Sequence, residues 1–284
     1  NCNWNEAKTG IPMWGQTSVP YDVTSAPGVL DRICMLRSVA VIDILVNGNL
    51  SQVNGLNNFK LSDVVLKDFE SKGLLGPDMS NCKWENGGYT VTAPSVPEGS
   101  ESYAGYTIST GEPVSSIQEK VFVPEFDASA DGKTLPSLLI GGYYGSGNTT
   151  EKTWYKVNIV KDNAPISILR NMRYVLNISD VSAKGFASAD EAYANPSQNI
   201  RVTLNLTPEM AAGLTHIVYD SSNFLALSET ELQLDKNSDS SIEVLTNVAG
   251  GWSFSSIPDW IQVSATSGAG NQRASITVNS KSSS

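Results

Sequence analysis

Apolar and polar side chains alternate through most of this chain with a period of two residues. The clearest run is Leu36-Arg-Ser-Val-Ala-Val-Ile-Asp-Ile-Leu-Val46. Ala40, Ile42, Ile44 and Val46 fall on one face of a strand there, while Ser38 and Asp43 take more polar positions. Asn47-Gly48 then signals a turn. A second strand is predicted over Phe59 to Phe69, with Val64 and Leu66 on one face and Val65 on the other. Lys72-Gly-Leu-Leu-Gly-Pro77 ends it.

The pattern restarts after Asn86-Gly-Gly88. Tyr89 to Thr92, Lys120 to Val123, Leu138 to Ile140, Trp154 to Val160, Arg173 to Ile178 and Arg201 to Leu206 all read as strands. They are rich in β-branched and aromatic residues and bounded by Gly, Pro, Asn or Ser. One helix start stands out, Ser188-Ala-Asp-Glu191: the Ser188 hydroxyl can accept from the Glu191 amide while the Glu191 carboxylate reaches back. From Ala212 onward, Glu231 to Leu234, Ser241 to Thr246, Trp252 to Phe254, Ile261 to Val263 and Ser275 to Val278 predict a small further ladder. The first thirty residues, broken by Pro12, Pro20 and Pro27, read mostly as loop with one or two short edge strands. An all-β protein of stacked sandwiches is expected. Its domains are expected at 1–85, 86–211 and 212–284, the last a small immunoglobulin-like sandwich expected to be incomplete.

Composition narrows the function classes. Over 284 residues, 40% are hydrophobic and 17% charged, so a core can form beneath a mostly neutral polar surface. A net charge of −10 repels phosphate backbones and argues against nucleic-acid partners. No stretch approaches the roughly 20 apolar residues of a membrane-crossing helix. Of the three cysteines, Cys34 reads as a small buried thiol, and Cys2 with Cys82 is the pair to expect if any disulfide forms.

Candidate chemistry is sparse. The single histidine, His216, lies near Asp220 and Ser221, but neighbours along one strand alternate faces and cannot form a relay. Gly141-Gly-Tyr-Tyr-Gly-Ser-Gly147 lacks the lysine and following helix of a phosphate loop, so a flexible hairpin is expected. Asp235-Lys-Asn-Ser-Asp-Ser-Ser-Ile-Glu243 has oxygen side chains at alternate positions, yet misses the glycine and terminal acid of a calcium loop; a solvated turn is expected. Trp252 and Trp260 are expected as core residues, with stacking on a sugar ring as the other reading and Trp260 the better placed for a rim. Neither a metal nor a cofactor is expected, and no catalytic residue is assigned.

Several segments, in order, resemble the fimbrillin or Mfa-like family of Bacteroidetes surface pili. Ile11-Pro-Met-Trp-Gly15 is similar to its "IPM-aromatic-G" segment, and Leu36 to Asp43 to its "L-x-R-x-A-R-I-D" strand, with Val41 in place of the usual arginine. Phe59-Lys-Leu61 and Gly73-Leu-Leu-Gly-Pro77 follow. Leu169-Arg-Asn-Met-Arg-Tyr174 resembles the "L-R-N-x-x-Y" hallmark, and Val181 to Gly185, Ser188 to Ala192 and Pro196 to Ile200 continue the order. Together these cover roughly residues 11–206. The last unit resembles a BACON-type module through Val244 to Asn247, Gly251-Trp252, Pro258 to Ser264, Ser267-Gly-Ala-Gly270 and Ile276 to Val278.

The resemblance implies fimbrillin or transthyretin-like tandem sandwiches in a non-enzymatic structural, tip or accessory subunit of an adhesive pilus. Its expected place is the cell surface, outside the outer membrane, and its expected partners are other pilin subunits joined by strand complementation. Family members carry further strands before the segment that Ile11 opens, so an incomplete first sandwich is expected, with any lipid anchor on the missing part. The rival expectation is a surface lipoprotein that binds host or microbial glycans or mucin through its last module.

Overall fold

The computed structural model describes residues 10–17, 33–46, 59–85, 88–103, 105–145, 151–161, 163–208, 216–220, 223–234 and 239–280. They belong to two compact units, Asn1–Leu206 and Thr207–Ser284.

The first unit opens with β1 (Met13–Gln16), β2 (Cys34–Arg37), β3 (Ala40–Val46), β4 (Phe59–Lys67), β5 (Cys82–Glu85) and β6 (Gly88–Val91). Next come β7 (Tyr106–Val114), β8 (Ser116–Val123), β9 (Ser137–Tyr144), β10 (Lys152–Asn158), β11 (Val160–Lys161) and β12 (Ala164–Pro165). β13 (Met172–Val181), the helix α1 (Ala189–Ala194) and β14 (Ile200–Pro208) follow. Two four-stranded sheets, β10-β9-β4-β7 and β14-β13-β3-β8, share one apolar core. β3 and β13 run parallel, with Tyr174 opposite Ile42 and Leu176 opposite Ile44.

The expected boundary at residue 85 is not found. β3 lies between β8 and β13, and β4 between β7 and β9, so segments assigned to different sandwiches build the same two sheets. Ile42, Ile44, Leu61 and Val64 are buried against Ile117, Val121, Leu138, Ile140 and Leu176 in one cluster. The physical reason is that β3 buries both faces: Ala40 to Ile44 are all inaccessible. A strand of that kind needs sheet neighbours on both sides and a layer over it. Among the described residues, the sheet neighbours that supply this, β8 and β13, come from beyond residue 85.

The alternation read from sequence places β4 well, with Val64 and Leu66 buried and Val65 half-buried. α1 starts where its cap predicts. The Ser188 hydroxyl accepts the Glu191 amide at 3.1 Å, and the Glu191 carboxylate accepts from Ala187 at 3.2 Å. Tyr193 on this helix donates to Asp68 at 2.8 Å, and Lys156 sits 4.9 Å from its ring centroid.

Gly141 and Gly142 are not in a flexible hairpin but in the buried middle of β9. The Trp154 ring covers Gly141 so closely that an added Cβ would lie 2.8 Å from it. Glycine is there for the close approach, not for a turn. Residues 146 and 147 of the same run lie outside the described residues.

The second unit contains β15 (His216–Asp220), β16 (Asn223–Leu227), β17 (Ser240–Thr246), β18 (Trp252–Ser253), β19 (Ile261–Val263), β20 (Ser267–Gly268) and β21 (Ala274–Ser280). A five-stranded sheet, β15-β16-β17-β21-β19, accompanies the two-stranded ribbon β18-β20. Val244, Ile276 and Val278 form its buried cluster, with Leu232, Leu234, Ile242 and Trp252 packed at the margin. Glu231 to Leu234, expected as a strand, is extended but joins no ladder.

Candidate functional site

The segments that carry the family resemblance meet in space, although up to 158 residues separate them. Arg170 is 1% exposed and Glu125 2%. The Arg170 Nε donates to Glu125 Oε2 at 2.8 Å, and the Arg170 backbone amide donates to the other carboxylate oxygen at 3.1 Å. Its Nη1 reaches the Leu75 carbonyl at 3.0 Å, inside the Gly73 to Pro77 turn. Ser38, in the Leu36 to Asp43 segment, donates to the same carbonyl at 2.5 Å. Gly76 of that turn lies under the Trp14 ring of the Ile11 to Gly15 segment, and the Ser38 amide donates to Pro12 at 2.9 Å.

The rest of the Leu169 to Tyr174 hallmark closes this latch. Asn171 has φ +58°, a left-handed conformation that asparagine tolerates. From there its side chain accepts the Arg37 amide at 3.1 Å. The Tyr174 hydroxyl accepts from the Leu169 amide at 2.8 Å and donates to the Ser167 carbonyl at 3.1 Å. Burial pushes this phenol far above its ordinary value, so it stays a neutral donor.

Arg173 pairs with Asp43 across the parallel strands and with Glu119 at 2.9 Å. The Glu119 amide donates to Asp43 at 2.8 Å, where β8 bulges and Glu119 takes φ +53°. Burial raises the Asp43 carboxyl above its ordinary value, against the opposing pull of Arg173 and the Glu119 amide. Every strong polar group here is turned onto another part of the chain. The arrangement holds loops and strands together; it does not present a nucleophile or an acid–base pair to solvent.

Among the described residues, two open places expose half-covered apolar side chains. The first is the free side of β14. Its inward residues Ile200, Val202, Leu204 and Leu206 are only half-buried against the core, whereas β13 beside it buries Tyr174, Leu176 and Ile178 fully. β14 ends its sheet. An edge strand with half-covered apolar side chains is a surface built to be completed. The opposite sheet is closed differently: Trp154 on edge strand β10 exchanges both backbone hydrogen bonds with Phe186, at 2.9 and 2.8 Å. Gly185 makes that approach possible, since a Cβ there would stand 2.1 Å from the Trp154 carbonyl oxygen.

The second open place is a shallow groove of about 360 Å³ in the second unit, lined by Leu232, Leu234, Ile242, Ile261, Val278, Thr230 and Trp260. Trp260 is 59% exposed, so the core reading of this residue does not hold. It follows the Pro258-Asp259 turn and sits on the rim. Trp252 is half-buried, against Gly268 and edge-on to Phe254 at 5.7 Å. The structure therefore separates the two tryptophans rather than making one platform of them.

Other sequence candidates fall away. His216 and Asp220 lie on the single strand β15, and Ser221 lies outside the described residues. Asp235 to Ser238 of the calcium-like run also lie outside them. Among the described residues, no three His, Cys, Asp or Glu side chains converge to hold a metal. Cys82 is a free, half-buried thiol, and burial raises its pKa. Cys2 itself lies outside the described residues. Among the described residues, no helix is long and apolar enough to cross a membrane.

No protein-family profile and no curated protein matches the chain. Among solved structures, it is similar to the tip fimbrial protein Mfa3 from Porphyromonas gingivalis with a C-terminal truncation. That match has 12% identity and a TM-score of 0.35, over 61% of this chain and 52% of the other. A candidate cell adhesion protein from Bacteroides eggerthii matches with 15% identity and a TM-score of 0.33, over 62% and 57%. Another from Parabacteroides distasonis matches with 14% identity and a TM-score of 0.33, over 63% and 54%. The chain thus spans a little over half the length of these structures.

Proposed function

We propose that this chain is a non-enzymatic structural, tip or accessory subunit of a Bacteroidetes cell-surface pilus that serves adhesion. Its partners are other pilin subunits, and it joins them by accepting an extended strand. The observation that carries this reading is the latch. Trp14, Ser38, Leu75 and Arg170 come from four separate segments of the fimbrillin resemblance, and all four meet around one turn and its carbonyl. Motif fragments scattered by chance have no reason to converge on shared contacts.

The half-covered apolar row of β14 supports strand complementation: main-chain hydrogen bonds along the edge fix register while alternate side chains complete the core. A resting place outside the outer membrane belongs to the same reading. Gold-labelled antibodies to this chain, viewed on producing cells by electron microscopy, test it. Label on surface fibres or their tips is expected; label confined to the cell interior would overturn it.

A second reading, glycan or mucin binding through the last, BACON-like unit, is favoured by one observation, the exposed ring of Trp260. It ranks lower because the surrounding groove is mainly aliphatic, with Thr230 its one side-chain hydroxyl. Sugar sites combine an aromatic face with several converging hydrogen-bonding groups.

A further inference from the structure

The second unit has an unfinished layer. Ile242, Val278 and Ile261 come from β17, β21 and β19 of its five-stranded sheet, and they floor the groove. Opposite that floor stands Glu231 to Leu234. Its residues alternate exposed, half-buried, exposed, half-buried, with Leu232 and Leu234 turned into the groove. That is the pattern of a strand, yet the segment joins no ladder among the described residues; the Ser240 hydroxyl donates to its Gln233 carbonyl at 3.2 Å. An alternating segment outside every described ladder, beside an open aliphatic groove, fits a further strand.

Charge says more about the occupant. Glu229, Glu231, Asp239 and Asp259 are exposed and adjoin residues that line the groove or its rim. Between Asn223 and Val263 the described residues include no lysine or arginine. The described strands with alternating aliphatic residues are already committed to their own sheets. The occupant is therefore none of these described strands.

We propose that this groove binds an extended segment of a second polypeptide, paired along Glu231 to Leu234, with aliphatic side chains at alternate positions and basic ones between them. Aliphatic groups would cover Ile242, Ile261 and Val278, Trp260 would flank them, and the basic groups would face the carboxylates. The proposal stands apart from fibre assembly, since it is measured on the isolated chain.

The test titrates the whole chain with an eight-residue peptide of alternating valine and lysine. Saturable binding with a shift in tryptophan emission is expected, along with slowed hydrogen exchange at the amides of residues 231–234. Trp260→Ala, a change at a rim position, should weaken binding about fivefold to tenfold. A peptide with its four valines and four lysines in separate blocks carries the same charge and should bind far more weakly, as should an alternating valine–glutamate peptide. Equal binding of the block peptide, unprotected amides, or an affinity indifferent to Trp260→Ala would each overturn the proposal. Recognition of an oligosaccharide that Trp260→Ala abolishes, with no peptide binding, would overturn it too and assign the groove to a glycan.

Discussion

The two units are built from the same strand alternation but secured by different means. In the first, a continuous apolar cluster runs between two four-stranded sheets, and buried ion pairs such as Arg170–Glu125 and Arg173–Asp43 fasten the loops and strands around it. In the second, Val244, Ile276 and Val278 form one small buried cluster, Phe224, Ala226 and Leu245 are buried besides, and Thr246 is the only fully buried polar side chain among the described residues of that unit. Buried charge contributes little net stability compared with apolar packing, but it is unforgiving of substitution: once one partner goes, the other is stranded. The first unit has thus traded tolerance for a unique arrangement of its turns, and the second has kept tolerance and an uncovered flank.

The largest expected effect comes from breaking the latch. Arg170→Met should cost the first unit about 3–5 kcal/mol, because Glu125 would remain buried without its countercharge. Urea unfolding monitored by hydrogen exchange, peptide by peptide, should show this loss in residues 33–206 and leave residues 223–280 unchanged. A uniform loss would end the contrast between the units. Adding Glu125→Leu should restore a good part of the stability, since the stranded charge then disappears.

Tyr174→Phe should cost about 1–3 kcal/mol in the same unit by leaving the half-buried Leu169 amide unpaired. A cost below about 0.5 kcal/mol would mean that water replaces the hydroxyl.

The smallest effect concerns pH. Burial alone would raise the Asp63 carboxyl, but hydrogen bonds from Lys152, Ser62 and Ser109 outweigh it and hold the group below its ordinary value. A depressed folded-state pKa gives stability that is present at neutral pH and lost as pH falls through the carboxylate range. Asp63→Asn should flatten that acid limb for the first unit only. An unchanged acid limb in the variant would show that Asp63 does not couple to folding.

Much of this fold was legible as periodicity. β3, β4, β13, β14 and the α1 cap follow from two-residue alternation and one capping box. The failures have physical causes. β7 escaped notice because Gly111 and Pro113 interrupt it, and Ile108 is its one fully buried residue. Glu231 to Leu234 alternates as any strand does; alternation reports which side faces a core, not whether the backbone finds a neighbour. Gly141 and Gly142 signal a turn by type, while the rings that need their missing side chains lie on neighbouring strands, Trp154 on β10 and Phe59 on β4. The separation of 45 positions between Glu125 and Arg170 hides their pairing, since charges carry no mark of their partner. The contacts around Leu75 and Arg37 make Arg170 and Asn171 ties between loops. Trp260 was misplaced because a tryptophan in a small sandwich ordinarily joins the core.

The parallel pairing of β3 with β13 has a consequence for biosynthesis. A chain emerging residue by residue makes β3 by position 46, finds its first flanking strand only near position 116, and waits for its second until position 172. Through that interval a stretch of seven residues, five of them destined to be inaccessible, has no permanent shelter. Such delayed closure slows folding and invites aggregation, so this polypeptide should depend on holding factors during synthesis more than a sandwich built from successive hairpins would.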